Sequence, residues 1–299
     1  MAVFKSLAGS LEIVLNAKAL VAESPVWDDL RQCLYWVDVE RGQVHCLNPE
    51  NGDDRFIDVG RRVGAVALRS DGGLVAALQD GLAWLDFDSG EIRLIGDPES
   101  HLVNNRFNDG KCDPKGRFWA GTMGMSRPRQ PVGALYVLDI DRRIRQVIDQ
   151  VSVSNGLAWA ADQKTFYYID TQRETVEAFD FEPGNGSLSN RRTIIVIAEG
   201  EGRPDGMTID REGMLWVAHW GGWQIGRYDP ATGRKLASVR VPVERVSSCT
   251  FGGPGLDWLY ITTASEGLSG EEAAGQPLAG AIFRIRTAVC GRPADRYAG

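Results

Sequence analysis

The chain repeats one sequence pattern six times along its 299 residues, with a period of about 40 to 50 residues. Each copy contains an apolar strand, a turn resembling Asp-Gly, a second strand with aromatic residues, and a third strand that ends near Asp, Asn or Gly. The copies begin at the segments "ESPVWDD", "VGAVALR", "FNDGKCD", "SNGLAWA", "PDGMTID" and "VSSCTFG". Such a period indicates one supersecondary unit per copy, stacked against its neighbours.

The units are predicted to be β-meanders. Their strands are short apolar runs such as "CLYWVDV" and "TFYYIDT", and the breaks between them favour tight hairpins. A lone meander cannot bury both of its faces, whereas several stacked radially around an axis bury each against the next. We therefore predict an all-β fold, a six-bladed β-propeller of four-stranded antiparallel blades that forms a single domain over residues 1–299.

Helical repeat proteins are excluded by the same pattern, because no 3.6-residue period continues over about 12 residues. The stretch "SEGLSGEEAAGQPLAG" is rich in Gly, Ala and Glu and is predicted to be a long loop.

Charge and composition limit the partners. The net charge of −7 and the dispersed Lys and Arg residues argue against nucleic acid, and no apolar run is long enough to span a membrane. The first residues lack the apolar core of a secretion signal, so we expect a cytoplasmic protein. The five cysteines form no CxxC pair and are expected to be buried thiols in a reducing compartment. We also expect a monomer that binds a small molecule.

Oxygen-bearing side chains recur at the starts of the innermost strands. In a propeller these strands surround the central axis, so their first residues converge from different blades. Asn-Gly and Asp-Gly are common turn formers, which is the ordinary explanation for Asn155 and Asp205. Glu23 has no such turn preference, and the three residues occupy equivalent positions in different repeats. Together they form a candidate site for one divalent cation, which could be Ca²⁺, Mg²⁺, Mn²⁺, Zn²⁺ or Fe²⁺.

Other catalytic patterns are missing from the sequence. His45, His101 and His219 are isolated and lack the spacing of a metal-binding pair, and no GxSxG segment is present. We expect packing or surface roles for all three histidines. His219 belongs to the same repeat as Asp205.

At these residues the chain resembles the senescence marker protein, gluconolactonase and luciferin-regenerating-enzyme family, and in particular its bacterial sugar lactonases. The resemblance spans residues 22–269 and lies in five of the six repeats. Its matching segments are "AESPVWDDLRQCLYWVD", "NNRFNDGKCDPKGRFWAGTM", "SNGLAWAADQKTFYYIDT", "RPDGMTIDREGMLWVAHWGG" and "FGGPGLDWLYITTASEGLS".

The resemblance implies specific roles for the site residues. It implies that Glu23, Asn155 and Asp205 bind one divalent metal ion and that Asp205 also assists the attacking water. In the "RFNDG" segment it implies that Arg106 and Asn108 contact oxygens of the substrate, with Asp109 also at the site. One departure concerns the residues after "GTM", which are acidic in animal members, whereas this chain has the segment "GMSR" at residues 124–127.

The predicted activity is the metal-dependent hydrolysis of a sugar lactone to its aldonic acid. A metal could polarise the lactone carbonyl while Asp205 accepts a proton from water. Two alternatives remain open from the sequence. The first is an esterase or organophosphate hydrolase that uses the same site, and the second is a propeller that binds metal or a protein partner without catalysis.

Overall fold

The prediction of a six-bladed β-propeller is confirmed by the computed structural model, in which residues 9–299 are described and 24 strands form six four-stranded antiparallel sheets. We number the sheets as blades I to VI. Strand β1 (Glu12–Leu15) belongs to blade VI and is followed by the strands of blade I, which are β2 (Ala22–Asp28), β3 (Cys33–Asp38), β4 (Gln43–Asn48) and β5 (Asp53–Asp58). Blade II contains β6 (Val63–Leu68), β7 (Leu74–Leu78), β8 (Gly81–Leu85) and β9 (Ile92–Gly96). Blade III contains β10 (Asn105–Cys112), β11 (Phe118–Gly124), β12 (Gly133–Leu138) and β13 (Ile144–Val151).

The remaining blades follow the same order. Blade IV contains β14 (Ser154–Trp159), β15 (Thr165–Asp170), β16 (Thr175–Glu182) and β17 (Ser187–Val196). Blade V contains β18 (Arg203–Ile209), β19 (Leu215–Trp220), β20 (Gln224–Tyr228) and β21 (Lys235–Arg240). Blade VI contains β22 (Val246–Gly252), β23 (Trp258–Thr263) and β24 (Ile282–Arg286), and its outer strand is β1, which pairs antiparallel with β24. The two ends of the chain therefore share one sheet and close the ring.

The innermost strand of each blade contacts the innermost strands of the two adjacent blades. Each of these six strands has a shift in its pairing register near its start, which marks a β-bulge or similar irregularity. Asn155 and Asp205 lie inside strands β14 and β18 at these irregularities. The turn-forming interpretation of these two residues is therefore wrong, because the chain continues as strand through them.

The glycines that follow these residues allow neighbouring blades to approach closely. A Cβ atom added at Gly156 would lie 2.8 Å from the carbonyl oxygen of Asp205 on the next blade. At Gly206 the added atom would overlap the side chain of Ser248, again on the next blade. The Asn-Gly and Asp-Gly pairs are thus required by the contact between blades rather than by turn geometry.

Buried aspartates connect the hairpins to the core. Asp210 accepts hydrogen bonds from the backbone of its own turn, from the Trp216 indole at 2.9 Å and from the Arg227 guanidinium at 2.8 Å. Asp113 bonds to the Trp119 indole in the same way at 2.9 Å. Each of these aspartates therefore holds a fully buried tryptophan between the blades.

The C-terminal segment, residues 290–298, crosses the end of the ring and hydrogen-bonds to all six blades. It contacts each blade close to the end of its innermost strand or at a hairpin turn. The bonds join Arg296 to Asp28, Tyr297 to Leu68, Ala298 to Gly116, Arg292 to Trp159, Cys290 to Arg211 and Gly291 to Leu256. The segment therefore closes this end of the central channel.

Two sequence expectations are modified by the structure. The stretch expected to be a loop contains a short helix, α1 (Gly270–Gly275), whose first turn is stabilised by a capping box between Ser269 and Glu272. All five cysteines are free, and four of them are buried, whereas Cys290 is only partly buried. Within residues 9–299 no helix is long and apolar enough to cross a membrane.

His219 has a packing role. Its ring is completely buried, its Nδ1 donates to the carbonyl oxygen of Glu201 at 2.8 Å, and its Nε2 accepts from the Tyr228 hydroxyl at 3.0 Å. The carbonyl oxygen only accepts, so Nδ1 carries a proton, and burial lowers the pKa of His219 from 6.5 to about 4, which leaves Nε2 unprotonated at neutral pH.

We expect the substitution Gly206→Ala to destabilise the ring, because the added methyl group overlaps Ser248. Overpacking of this kind costs roughly 1–3 kcal/mol in the free energy of unfolding, measured by chemical denaturation. Gly270→Ala is the matched control, because nothing lies within 4 Å of a Cβ atom at that position. The close-approach argument is contradicted if both variants unfold at the same denaturant concentration.

We expect His219 to make stability depend on pH. Because its folded pKa lies below its unfolded value, the unfolded chain binds a proton first as the pH falls, and stability is lost between pH 6.5 and about 4. The loss amounts to roughly 2–3 kcal/mol. It is measured as the difference in unfolding free energy between pH 7 and pH 4.5. His219→Gln should reduce this difference, whereas the exposed control His101→Gln should not.

Candidate functional site

A cavity of about 410 Å³ lies against the first residues of four innermost strands. It contains five of the six residues selected from the sequence. They are Glu23 from β2, Arg106 and Asn108 from β10, Asn155 from β14 and Asp205 from β18. The structure thus brings together residues that are separated by as much as four blades along the chain.

Two buried carboxylates form the negative part of this cavity. Glu23 and Asp205 are each 7% exposed. Burial raises the pKa of both groups, and their charges oppose each other's ionisation. Asp109 raises the pKa of both further, whereas Arg106 lowers it. Ionising both carboxylates in this cavity therefore carries a substantial desolvation cost, which a bound cation would offset.

Asn155 presents an oxygen atom to the same place. Its Nδ2 donates to the hydroxyl oxygen of Thr171 at 2.8 Å, and that hydroxyl donates to the carbonyl oxygen of Pro204 at 2.8 Å. This chain of bonds fixes which side of the amide carries the oxygen. Asn155 Oδ1 is buried and accepts no hydrogen bond within the described residues. A buried acceptor without a partner is costly unless a ligand satisfies it.

These three side chains fit a hard cation. Carboxylate and amide oxygens are the ligands that Ca²⁺ and Mg²⁺ prefer, and a positive ion would satisfy Asn155 Oδ1 and relieve the repulsion between the carboxylates. Among residues 9–299 no group of three His, Cys, Asp or Glu side chains is arranged to hold a metal ion. A cation bound here therefore depends on the Asn155 amide oxygen as its third protein ligand.

Arg106 and Asn108 form a connected pair beside these oxygens. Arg106 Nη1 donates to Asn108 Oδ1 at 2.7 Å and to the carbonyl oxygen of Phe107 at 2.9 Å, while Asn108 Nδ2 donates to the carbonyl oxygen of Ser154 at 2.8 Å. Burial lowers the pKa of Arg106 to about 10, which leaves the guanidinium charged at neutral pH. Asn108 therefore holds Arg106 in place, and Arg106 keeps Nε and Nη2 for a ligand.

Asp109 lies behind the other candidates. It lines a second, narrower cavity of about 80 Å³ along the axis, together with Lys111 and the C-terminal segment. Its Oδ1 accepts from the Gly110 backbone at 2.7 Å, and Lys111 donates to the carbonyl oxygen of Met207 at 2.7 Å. The contact of Asp109 with substrate remains a prediction. In this structure the charge of Asp109 raises the pKa of Glu23 and Asp205.

Several residues of the cavity were not selected from the sequence. Thr171 follows the apolar strand β15, and that position alone carries no functional signal. Arg127 and Arg129 lie in the segment between β11 and β12 and line the cavity together with Glu266. Only Arg127 was noted, because it is part of the departure after "GTM". No pattern in the sequence indicates that the loop containing Glu266 reaches the same cavity.

The arrangement combines an oxygen-lined cation position, a fixed guanidinium and space for a small polar molecule. Such a site can bind an oxygen-rich ligand, polarise a carbonyl group and accept a proton at a carboxylate.

Known proteins are similar to this chain along most of its length. It is 42% identical over 291 residues to regucalcin from Danio rerio, which covers 97% of this chain and 98% of that protein. A luciferin-regenerating enzyme superposes with a TM-score of 0.91 at 32% identity and covers 98% of this chain and 100% of its own. A calcium-binding protein, regucalcin, from Agrobacterium tumefaciens superposes with a TM-score of 0.91 at 27% identity and covers 97% of each chain.

The pattern of one family, described as the SMP-30/Gluconolactonase/LRE-like region, matches residues 21–265. This range includes every candidate site residue and five complete blades. The chain belongs to the SMP-30/gluconolactonase/LRE-like family, as its sequence motifs indicated.

Proposed function

We propose that this protein is a metal-dependent lactonase that hydrolyses a sugar lactone to the corresponding aldonic acid. The observation that carries the proposal is the unpartnered Asn155 Oδ1, which is held by Thr171 in a cavity that also contains the buried carboxylates Glu23 and Asp205. The class of substrate is supported by the family, whose description includes gluconolactonase.

Glu23, Asn155 and Asp205 would hold the cation through oxygen atoms. When bound, a divalent cation supplies Lewis-acid polarisation of the lactone carbonyl. Calcium is the first ion to test, because the relative from Agrobacterium tumefaciens is described as calcium-binding.

Asp205 is the proposed proton acceptor. A carboxylate has two oxygen atoms, so one can bind the cation while the other accepts the proton of the attacking water. Arg106 would donate from Nε and Nη2 to substrate oxygens, and Asn108 would keep its guanidinium in place. Asp109, behind both carboxylates, would add to the negative potential that attracts the cation.

We expect Asp205→Ala to lose at least about 100-fold in kcat/KM for sugar lactones, because it removes both a cation ligand and the proton acceptor. Release of acid is measured with a panel of five- and six-membered sugar lactones, with and without a chelator. Spontaneous hydrolysis is subtracted. Asp162→Asn, in an exposed hairpin turn, is the matched control and should retain full activity.

The proposal fails if chelation and Asp205→Ala both leave the lactonase rate unchanged. Turnover of aryl esters or phosphotriesters without turnover of lactones would favour the esterase alternative. Cation binding without any turnover would favour a binding protein.

We expect Thr171→Val to weaken cation binding by about 10- to 100-fold, because it releases the Asn155 amide that Thr171 orients. Calcium affinity is measured by calorimetry on the protein alone, so the result does not depend on an assay of activity. Thr193→Val, on the exposed strand β17, is the matched control. Equal affinities in the two variants would contradict the orienting role of Thr171.

A further inference from the structure

Three arginines that face the cavity lack a carboxylate partner. Arg106, Arg127 and Arg129 all line the cavity, and none of them forms an ion pair within residues 9–299. Two arginines nearby differ in this respect. Arg62 pairs with Glu40 at 2.7 Å, and Arg203 pairs with Glu174 at 3.3 Å. Of the four arginines that line the cavity, Arg203 is therefore the one with a carboxylate partner among the described residues.

The hydrogen bonds of Arg127 and Arg129 leave most of their donors free. Arg129 Nη1 donates to the carbonyl oxygens of Gly124 at 2.6 Å and Ser126 at 3.5 Å, which fixes its direction while its other nitrogens stay unbonded. Arg127 is exposed and makes no side-chain hydrogen bond within the described residues. Each guanidinium therefore keeps the paired donors that match a carboxylate or a phosphate.

The positive charges of these arginines lie at one cavity, where they repel each other. Burial is the main cause that lowers the pKa of Arg129, and the charge of Arg127 lowers it further. Burial is also the main cause that lowers the pKa of Arg106; the charge of Glu40 opposes this lowering, and the charge of Arg129 adds to it. An anion placed between these guanidinium groups would relieve their repulsion and satisfy their donors.

The charge balance of the cavity also favours an anion. Four arginines line it against three carboxylates, Glu23, Asp205 and Glu266. Glu174 neutralises Arg203, so the other three arginines balance the carboxylates, and a divalent cation held by Glu23 and Asp205 would leave the cavity with a positive excess. This excess is local, because the whole chain carries a net charge of −7. A neutral sugar lactone offers hydroxyl groups, a ring oxygen and a carbonyl oxygen, none of them charged, and would leave Arg127 and Arg129 without a charged partner.

We propose that the substrate is a sugar lactone that carries a second acidic group, a carboxylate or a phosphate, which Arg127 and Arg129 bind. This inference rests on the proposed lactonase function and defines its substrate class. In the reaction, water adds to the lactone carbonyl, the ring C–O bond breaks, and the products are a carboxylate, a hydroxyl group and one proton. The second acidic group remains unchanged and serves for recognition only.

The test compares charged and neutral lactones of the same ring size. The phosphate arm compares 6-phospho-D-glucono-1,5-lactone with D-glucono-1,5-lactone, and the carboxylate arm compares D-glucaro-1,4-lactone with D-glucono-1,4-lactone. We expect kcat/KM of the unmodified protein to be at least about tenfold higher for the charged member of one pair, as for a charge-assisted bidentate contact.

Substitutions then assign the preference to the two arginines. Arg127→Gln and Arg129→Gln should each lower the ratio of charged to neutral kcat/KM about tenfold, mainly through KM of the charged lactone. Arg129→Lys keeps the charge but loses the paired donors, and should lower the ratio less. Arg143→Gln, an exposed arginine in the turn between β12 and β13, is the control of equal charge and should leave the ratio unchanged.

The outcomes separate this inference from the function on which it rests. Equal or lower kcat/KM for both charged lactones, or a ratio that neither Gln variant changes, overturns the inference while lactonase activity stands. If no lactone is hydrolysed, the proposed function fails, and calorimetry with glucarate and 6-phosphogluconate, with and without calcium, tests the anion site directly. Binding that Arg127→Gln weakens supports the anion site, and the absence of binding overturns it.

Discussion

The structure depends on the close approach of neighbouring innermost strands around the central axis. Gly156 and Gly206 lack the Cβ atoms that would meet the next blade, so successive strands can pass near one another at the register irregularities. The residues immediately before them, Asn155 and Asp205, are thereby carried to the axis. One packing constraint thus closes the ring and brings residues from distant parts of the chain into one cavity.

The cavity differs from the ion pairs that connect the hairpins to the core. Asp210 pairs with Arg227 at 2.7 Å, and the Trp119 and Trp216 indoles donate to aspartates. In the cavity, carboxylates face each other and an amide oxygen has no donor. A folded protein tolerates a local conflict of this kind where the surrounding structure is strong and a ligand resolves it. The strongly packed blades provide that support.

Much of the fold and of the candidate site could be predicted from the sequence, because the sequence signals for them are periodic. The sixfold repeat gave the number of blades, and the equivalent positions of Glu23, Asn155 and Asp205 placed them together. Contacts between distant segments lack such a signal. Thr171 orients Asn155 through side-chain geometry alone, and the strand β1 joins blade VI through pairing across the whole chain. Asp109 follows Asn108 directly, yet it lies in a different cavity, because successive residues of a strand point to opposite faces.

The C-terminal segment has a consequence for how the molecule unfolds. In a ring of repeats each blade touches only its two neighbours, so a single blade could in principle detach while the others persist. Here residues 290–298 hydrogen-bond to every blade, and the partners extend from Asp28 to Leu256. Loss of any one blade would therefore also release a contact of the common segment. Nine residues at the end of the chain thus convert nearest-neighbour stacking into a single cooperative unit.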